Sequence, residues 1–154
     1  MTRNVTIASR LREVLINGRW IANTNYKEQL QSVNWQQAVH KVEDFNTIAT
    51  LTFHINYYLK GLLNAFENGK LEISDKYSFD TPEIKTNSDW DKLVNQFLHN
   101  SETFAVRIEQ MDDNIFDQPF VDEKYGNYLR NIEAVIEHSY YHLGQIVLIR
   151  KMIK

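Results

Sequence analysis

Two histidines spaced four residues apart are the first candidates for chemistry in this 154-residue chain. His138 and His142 lie in a run that reads Glu-His-Ser-Tyr-Tyr-His. In an α-helix, residues four apart return to within about 40° of one azimuth, one turn along the axis. Both imidazoles can therefore reach one metal ion from the same helix face. Such pairs also occur by chance, so the pair alone does not define a metal site.

A third histidine strengthens the case for a metal site. His54 stands in the middle of a second predicted helix, next to its apolar stripe. A single inward histidine is usually a hydrogen-bonded core residue, but three on two packed helices favour a shared ion. Neutral imidazole suits Zn, Ni or Fe, and three protein ligands leave a coordination position open, as in catalytic sites. Such an ion lowers the pKa of water or binds a thiol as thiolate. His40 and His99 are expected at the surface or on a rim.

The apolar spacing predicts helices along most of the chain. A first helix follows an apolar stripe from Val5 and ends near Asn17-Gly18, where glycine permits a left-handed turn. The segment from Trp20 to about Phe45 is less regular and predicts one or two short helical turns. Within this segment, Asn34 and the glutamine three residues later resemble a capping box.

The second helix is predicted from about Thr47 to Asn68, with Asn46 as its N-cap and Gly69 as its C-terminal stop. Residues 70–87 then lose all periodicity. A connection of this length often carries a binding function, so it is a candidate rim for a site.

The third helix is predicted to begin at Ser88, with Asp91 in its first turn, and to keep a near-heptad stripe to Met111. A last helix starts at Gly126 or Asn127 and runs to the C-terminus. The prediction is an all-α, antiparallel four-helix bundle that forms one domain over residues 1–154. Because at least two connections are long, an up-down-up-down order does not follow.

Composition excludes several classes of protein. The 17 Lys and Arg against 20 Asp and Glu give a net charge of −3, which disfavours nucleic-acid binding. Cysteine is absent, so thiol nucleophiles and thiolate metal sites are excluded. No run of 18 uncharged apolar residues predicts a membrane span, and no export signal is present, so a cytoplasmic location is expected. The Gly-x-Ser-x-Gly motif of serine hydrolases and the Glu-x-x-His motif of ferritin-like di-iron proteins are also missing.

Aromatic residues permit two interpretations, a ligand pocket or a core, and the core is favoured because most such residues are buried for packing. Polar neighbours for the histidines are Tyr58, Tyr141 and Gln145, none of them a convincing general base. The charges of Arg130, Glu133 and Glu137 are expected on a solvated face. The aromatic set comprises Trp20, Trp35, Trp90, Phe97, Phe104, Tyr140 and Tyr141.

Two segments resemble motifs of the DinB superfamily. Residues 46–55, with His54 in mid-helix, resemble its second-helix motif, and residues 137–146 resemble its His-x-x-x-His-x-Gly-Gln motif. The resemblance covers essentially the whole chain. It implies a four-helix bundle whose His triad, here His54, His138 and His142, binds a divalent ion, commonly Zn or Ni.

The resemblance also implies a range of activities, because some relatives are thiol-dependent transferases or isomerases and dimers are frequent. The chain departs from the family before the second helix, where Val42-Glu43-Asp44 replaces a common Pro-Gly.

Two functions remain open at this level. In the first, a metal-dependent enzyme activates water or a low-molecular-weight thiol toward a small-molecule substrate, as a hydrolase or thiol S-transferase. In the second, a non-catalytic, stress-associated or partner-binding homodimer keeps a vestigial or structural metal site. Apolar residues expected outside the core, Ile7, Phe116 and Phe120, would then form an interface.

Overall fold

Residues 1–153, the part of the chain that this computed structural model describes, contain six α-helices and no β-strand. Four of them form the bundle and two short ones lie in the connection between the first two bundle helices, as the sequence predicts. The helices are α1 (Arg3–Arg12), α2 (Tyr26–Gln31), α3 (Trp35–Val39), α4 (Ile48–Asn68), α5 (Asn87–Glu109) and α6 (Tyr128–Met152).

Side-chain caps set where the helices begin. The capping box at Asn34 is confirmed, and α6 begins after Asn127, whose side chain accepts from the backbone N–H three residues on. The predicted cap of α4 is wrong by one residue: the Thr47 hydroxyl, not Asn46, accepts the backbone N–H of Thr50 at 3.1 Å. A threonine hydroxyl in that position satisfies a helical N–H that otherwise lacks a partner.

The start of α5 also differs from the prediction. The helix begins at Asn87 rather than Ser88, because Thr86 and Asp89 form a reciprocal capping box there. The acidic side chain of the first turn is therefore Asp89, not Asp91.

Glycines end two helices in different ways. Gly69 closes α4 in the left-handed conformation, with φ at 73°, as predicted. Gly18 instead has φ at −97°, so the predicted left-handed turn is absent. A π turn over Glu13–Asn17 ends the first helix there, closed by the Gly18 N–H bonding to the Glu13 carbonyl at 3.1 Å.

Contacts along the helices fix their directions. Asn4 bonds the Glu109 carbonyl while Arg12 pairs with Glu102 at 2.8 Å, so α1 and α5 are antiparallel. Asn56 contacts Asn100, and further along α4 the Phe66 carbonyl contacts Arg107, so α4 and α5 run parallel.

The last helix closes the bundle. Near the start of α4 His54 contacts His142, and near its end Phe66 stacks on Tyr128, so α4 and α6 are antiparallel. The directions of the four bundle helices are therefore up, down, down and up. The sequence predicts an antiparallel bundle with long connections and leaves the order of helix directions open. The parallel pair α4 and α5 settles that order, and its connection returns along the length of the helix.

That returning connection, residues 70–86, packs along α4. Ile73 lies against Gly61, where an added Cβ would approach the Ile73 side chain to 2.5 Å. Further back, Ser74 bonds Tyr57 and the Ser78 carbonyl bonds His54. The close approach at Gly61 thus brings the middle of the connection over His54.

The core confirms part of the aromatic prediction. Trp90, Phe97 and Phe104 are buried, whereas Trp20 and Tyr141 are 87% and 65% exposed. Trp35 and Tyr140 are half-buried against the core.

The suggested interface is wrong. Ile7, Phe116 and Phe120 are all at most 4% exposed and belong to the core cluster. The turn over residues 113–117 and the segment after it fold onto the bundle and bury the two phenylalanines, which sequence periodicity does not reveal. No helix among residues 1–153 is both long and apolar enough to cross a membrane.

The turn before α4, at Val42-Glu43-Asp44, contains a residue in the left-handed region. Glu43 has φ at 45°, in the left-handed region that a residue with a Cβ adopts at a cost of about 1 kcal/mol.

Replacing the α4 cap should cost measurable stability. We expect Thr47→Ala to lower the free energy of unfolding by about 1 kcal/mol, because a helical N–H loses its partner. Asn46→Ala, at an exposed neighbouring position, is the matched control and should change it by less than about 0.5 kcal/mol. Urea unfolding followed by circular dichroism measures both, and an equal effect of the two variants would contradict the assignment of the cap.

Candidate metal centre

The three histidines singled out by the sequence converge at one point between α4 and α6. His54 comes from α4, and His138 and His142 come from successive turns of α6. The Nε2 atom of His138 lies 3.2 Å from Nε2 of His54 and 2.9 Å from Nε2 of His142. One ligand nitrogen from each residue can be chosen so that all three lie within 4.8 Å of one another.

Hydrogen bonds on the far side of two rings fix which nitrogen carries the proton. Nδ1 of His54 lies 3.1 Å from the Ser78 carbonyl, and Nδ1 of His142 lies 2.6 Å from Oε1 of Gln145. Both oxygens only accept, so each Nδ1 donates. In the neutral imidazoles Nε2 is then unprotonated and carries a lone pair toward the other rings.

The protein can satisfy at most one of these two lone pairs. Nε2 of His138 can carry one proton and donate it to only one of its two neighbours, so at least one close contact joins two lone pairs. A cation between the rings would remove this repulsion. If metal–nitrogen bonds are about 2.1 Å long, two nitrogen ligands lie about 3.4 Å apart around a tetrahedral ion. They lie about 3.0 Å apart where the two metal–nitrogen bonds meet at a right angle. The observed spacing of Nε2 atoms therefore fits a divalent ion.

Burial keeps the imidazoles neutral. It is the largest cause that lowers the pKa of each of the three, because a charged ring loses hydration inside the bundle. The pKa of His138 falls to about 4, lowered further by the neighbouring His142 and His54. Neutral imidazole is the form that binds metal, so the site is ready for an ion at neutral pH.

A short part of the returning connection, residues 74–79, covers His54 and is called the cover segment below. The Phe79 ring stacks on the His54 ring, with centroids 3.9 Å apart and planes at 5°. The Tyr57 hydroxyl donates to the Ser74 carbonyl at 2.8 Å and accepts its N–H at 2.9 Å. These contacts hold the Ser78 carbonyl against His54.

Tyrosines complete the surroundings. The Tyr58 ring meets His54 and His138 edge-on at 5.2 and 5.6 Å. Its hydroxyl donates to Asp75 at 2.7 Å, and burial together with that bond raises the pKa of Tyr58 to about 12. Tyr141 lies 4.8 Å from His142 and is largely exposed. Of the polar neighbours predicted from sequence, Gln145 bonds a ring nitrogen, while the two tyrosines contribute aromatic edges.

The other histidines lie elsewhere. His40 and His99 are both exposed, as predicted, and neither approaches the three clustered rings. Arg130 and Glu137 form an exposed ion pair at 3.2 Å, which agrees with the expected solvated face.

Sequence reasoning missed three residues around the site. Asp75, Ser78 and Phe79 contact Tyr58 and His54, yet they belong to a segment without periodicity. The length and irregular composition of the loop at residues 70–87 predict a rim, but they assign no role to any of its side chains.

An all-helical bundle with three clustered imidazoles in its core defines a class of helical proteins with a candidate metal centre. Within that class, the chain belongs to the DinB superfamily, whose sequence model matches residues 24–146. The matched range includes all three histidines. No curated protein and no solved structure matches the chain.

The lowered pKa values predict how the metal-free protein responds to acid. Between the folded pKa of His138, about 4, and the ordinary value of 6.5, the unfolded state binds more protons than the folded one. Stability should therefore fall as pH falls through this range. Urea midpoints with a chelator present, measured between neutral pH and pH of about 4, check this.

Matched variants isolate the histidine contribution. His138→Gln should flatten the pH dependence, since glutamine does not titrate, whereas His99→Gln, at an exposed position, should leave it as in the parent. Parallel pH profiles for the parent and His138→Gln would contradict the expectation.

Proposed function

We propose that this protein is a metal-dependent enzyme with one divalent ion, Zn or Ni, held by His54, His138 and His142. The observation that supports this most directly is that the unprotonated Nε2 atoms of His54 and His142 both face Nε2 of His138, at 3.2 and 2.9 Å. Without an ion, at most one of these two contacts is a hydrogen bond, and an acceptor left without a donor in the core costs free energy.

The chemistry follows from the number of ligands. Three protein ligands leave a position for an exogenous group, and a bound ion supplies Lewis acidity that lowers the pKa of water or a thiol. The substrate is a small molecule, and the co-substrate is water or a low-molecular-weight thiol, giving a hydrolase or thiol S-transferase. A homodimeric state and a cytoplasmic location stay predictions from the sequence.

The chain's own residues have supporting roles in this proposal. Ser78 and Gln145 hold the His54 and His142 rings in the tautomer that points Nε2 inward. Phe79 and Tyr58 supply apolar surface that keeps water from the rings on the side of the cover segment. Tyr58 itself stays neutral at physiological pH, because its pKa is about 12.

Metal binding is the first test. We expect the protein to bind about one equivalent of Zn²⁺ or Ni²⁺, and His54→Ala or His142→Ala to lower the affinity by at least about 100-fold, as expected for loss of a ligand. His99→Ala, at an exposed position on α5, is the control and should bind as the parent does. Calorimetric titration measures the affinities, and circular dichroism verifies that the variants keep their helices. Equal affinity in the parent and His54→Ala would rule out the proposed site.

Turnover is the second test. The metal-loaded protein should accelerate transfer of a low-molecular-weight thiol, or hydrolysis, in a screen of small electrophiles, and His138→Ala should remove at least about 100-fold of that rate. Adding chelator should have the same effect on the parent. One equivalent of bound metal without any metal-dependent turnover would favour the non-catalytic alternative, a helical protein with a structural or vestigial metal site.

A further inference from the structure

A cavity away from the histidines opens between α4, α5 and the returning connection. Its volume is about 740 Å³, within the range typical of small-molecule sites. Apolar walls come from Phe53 on α4, Leu93 on α5 and Ile84 on the connection. None of the three clustered histidines lines it. We call this cavity the amide cleft, for the side chains described next.

Two paired asparagines, Asn56 buried and Asn100 half-buried, lie in the wall of the amide cleft. Asn56 is only 8% exposed, although asparagine is an unfavourable residue in the middle of a helix. Nδ2 of Asn100 donates to Oδ1 of Asn56 at 2.8 Å. Among residues 1–153, the Asn56 amide N–H groups and the Asn100 carbonyl oxygen have no further partner, and both side chains line the cavity.

The pair therefore leaves N–H donors, those of Asn56 and the second N–H of Asn100, and one acceptor, the Asn100 oxygen, at the wall of the cavity. If the oxygen and nitrogen of both carboxamides were interchanged, the hydrogen bond between them would run in the opposite direction. Free N–H donors and a free oxygen acceptor would still remain at the cavity. The complement is an amide whose C=O and N–H lie on the same edge, as in a primary carboxamide or a ring amide. A trans peptide bond does not fit, because its C=O and N–H point in opposite directions.

Charged side chains at the amide cleft favour one source of such an amide. Lys60 lies one turn from Asn56 on α4, and Glu72 reaches the cleft from the connection. Neither forms an ion pair within the described part of the chain, and nor does Lys92 of α5, which also lines the cleft. The carboxylate of an amino acid would complement the lysines and its ammonium would complement Glu72, while the asparagines bind its side-chain amide.

We propose that the amide cleft binds a small molecule through a same-edge amide. The two sources of this chemistry are an amino-acid carboxamide, with free L-glutamine as its probe, and a ring amide, with uracil as its probe. The site does not depend on metal at the histidines, so chelator should leave binding unchanged.

Titration of the ¹⁵N-labelled full chain tests the proposal. L-Glutamine or uracil should shift the side-chain amide signals of Asn56 and Asn100 saturably in NMR spectra. L-Glutamate, similar in size to glutamine but without the amide N–H, should bind at least about tenfold more weakly, because the Asn100 oxygen stays unpaired. A response to only one of the two amides identifies the source. Saturable shifts from neither amide, or equal binding of glutamate and glutamine, would overturn the proposal.

Variants locate the binding. Asn100→Ala should weaken binding of the responding probe by about tenfold, the effect of losing a hydrogen bond, whereas Asn95→Ala, exposed on the same helix and outside the cleft, should change it less than about twofold. Lys60→Met, at an exposed rim position, should weaken L-glutamine but not uracil. Unchanged affinity in Asn100→Ala with native circular dichroism would overturn the proposal.

Discussion

Two unprotonated imidazole nitrogens, both facing the ring nitrogen of a third histidine, are the constraint on which the rest of the site depends. The Ser78 carbonyl and the Gln145 amide oxygen fix the protons on the outer nitrogens of His54 and His142. Nε2 of His54 and Nε2 of His142 then carry lone pairs and lie 3.2 and 2.9 Å from Nε2 of His138. Such a cluster inside a core is unfavourable by itself, since lone pairs repel and lose hydration. A divalent cation is the group that would reverse the sign of this interaction.

The direction of the helices explains how the cluster is enclosed. Because α4 and α5 run parallel, the connection between them returns along the whole of α4 rather than turning back at its end. Gly61 permits Ile73 to pack against the helix at a distance that a Cβ would prevent. The connection therefore lies close to the surface of α4, and Phe79 stacks on His54. A hairpin topology would leave this face of His54 open.

The same connection separates the candidate metal centre from the amide cleft. Tyr57 illustrates the arrangement, because its ring lines the cleft while its hydroxyl bonds Ser74 of the cover segment. The adjacent Tyr58 faces the histidines and bonds Asp75 of the same segment. Two consecutive residues of α4 thus lie in different regions, one in the amide cleft and one beside the histidines, and the hydroxyls of both bond the cover segment. The cover segment therefore contacts both the candidate metal centre and the wall of the amide cleft.

The sequence by itself determined the helices and the residues that can bind metal, since helical periodicity, caps such as Asn34 and the spacing of His138 and His142 are local properties. It also placed His54 on the right helix. Only the tertiary structure decided the order of helix directions, the burial of Phe116 and Phe120, and the contacts of Ser78 and Phe79 with His54. These depend on how an irregular connection packs across a distant helix, and such packing leaves no period in the sequence.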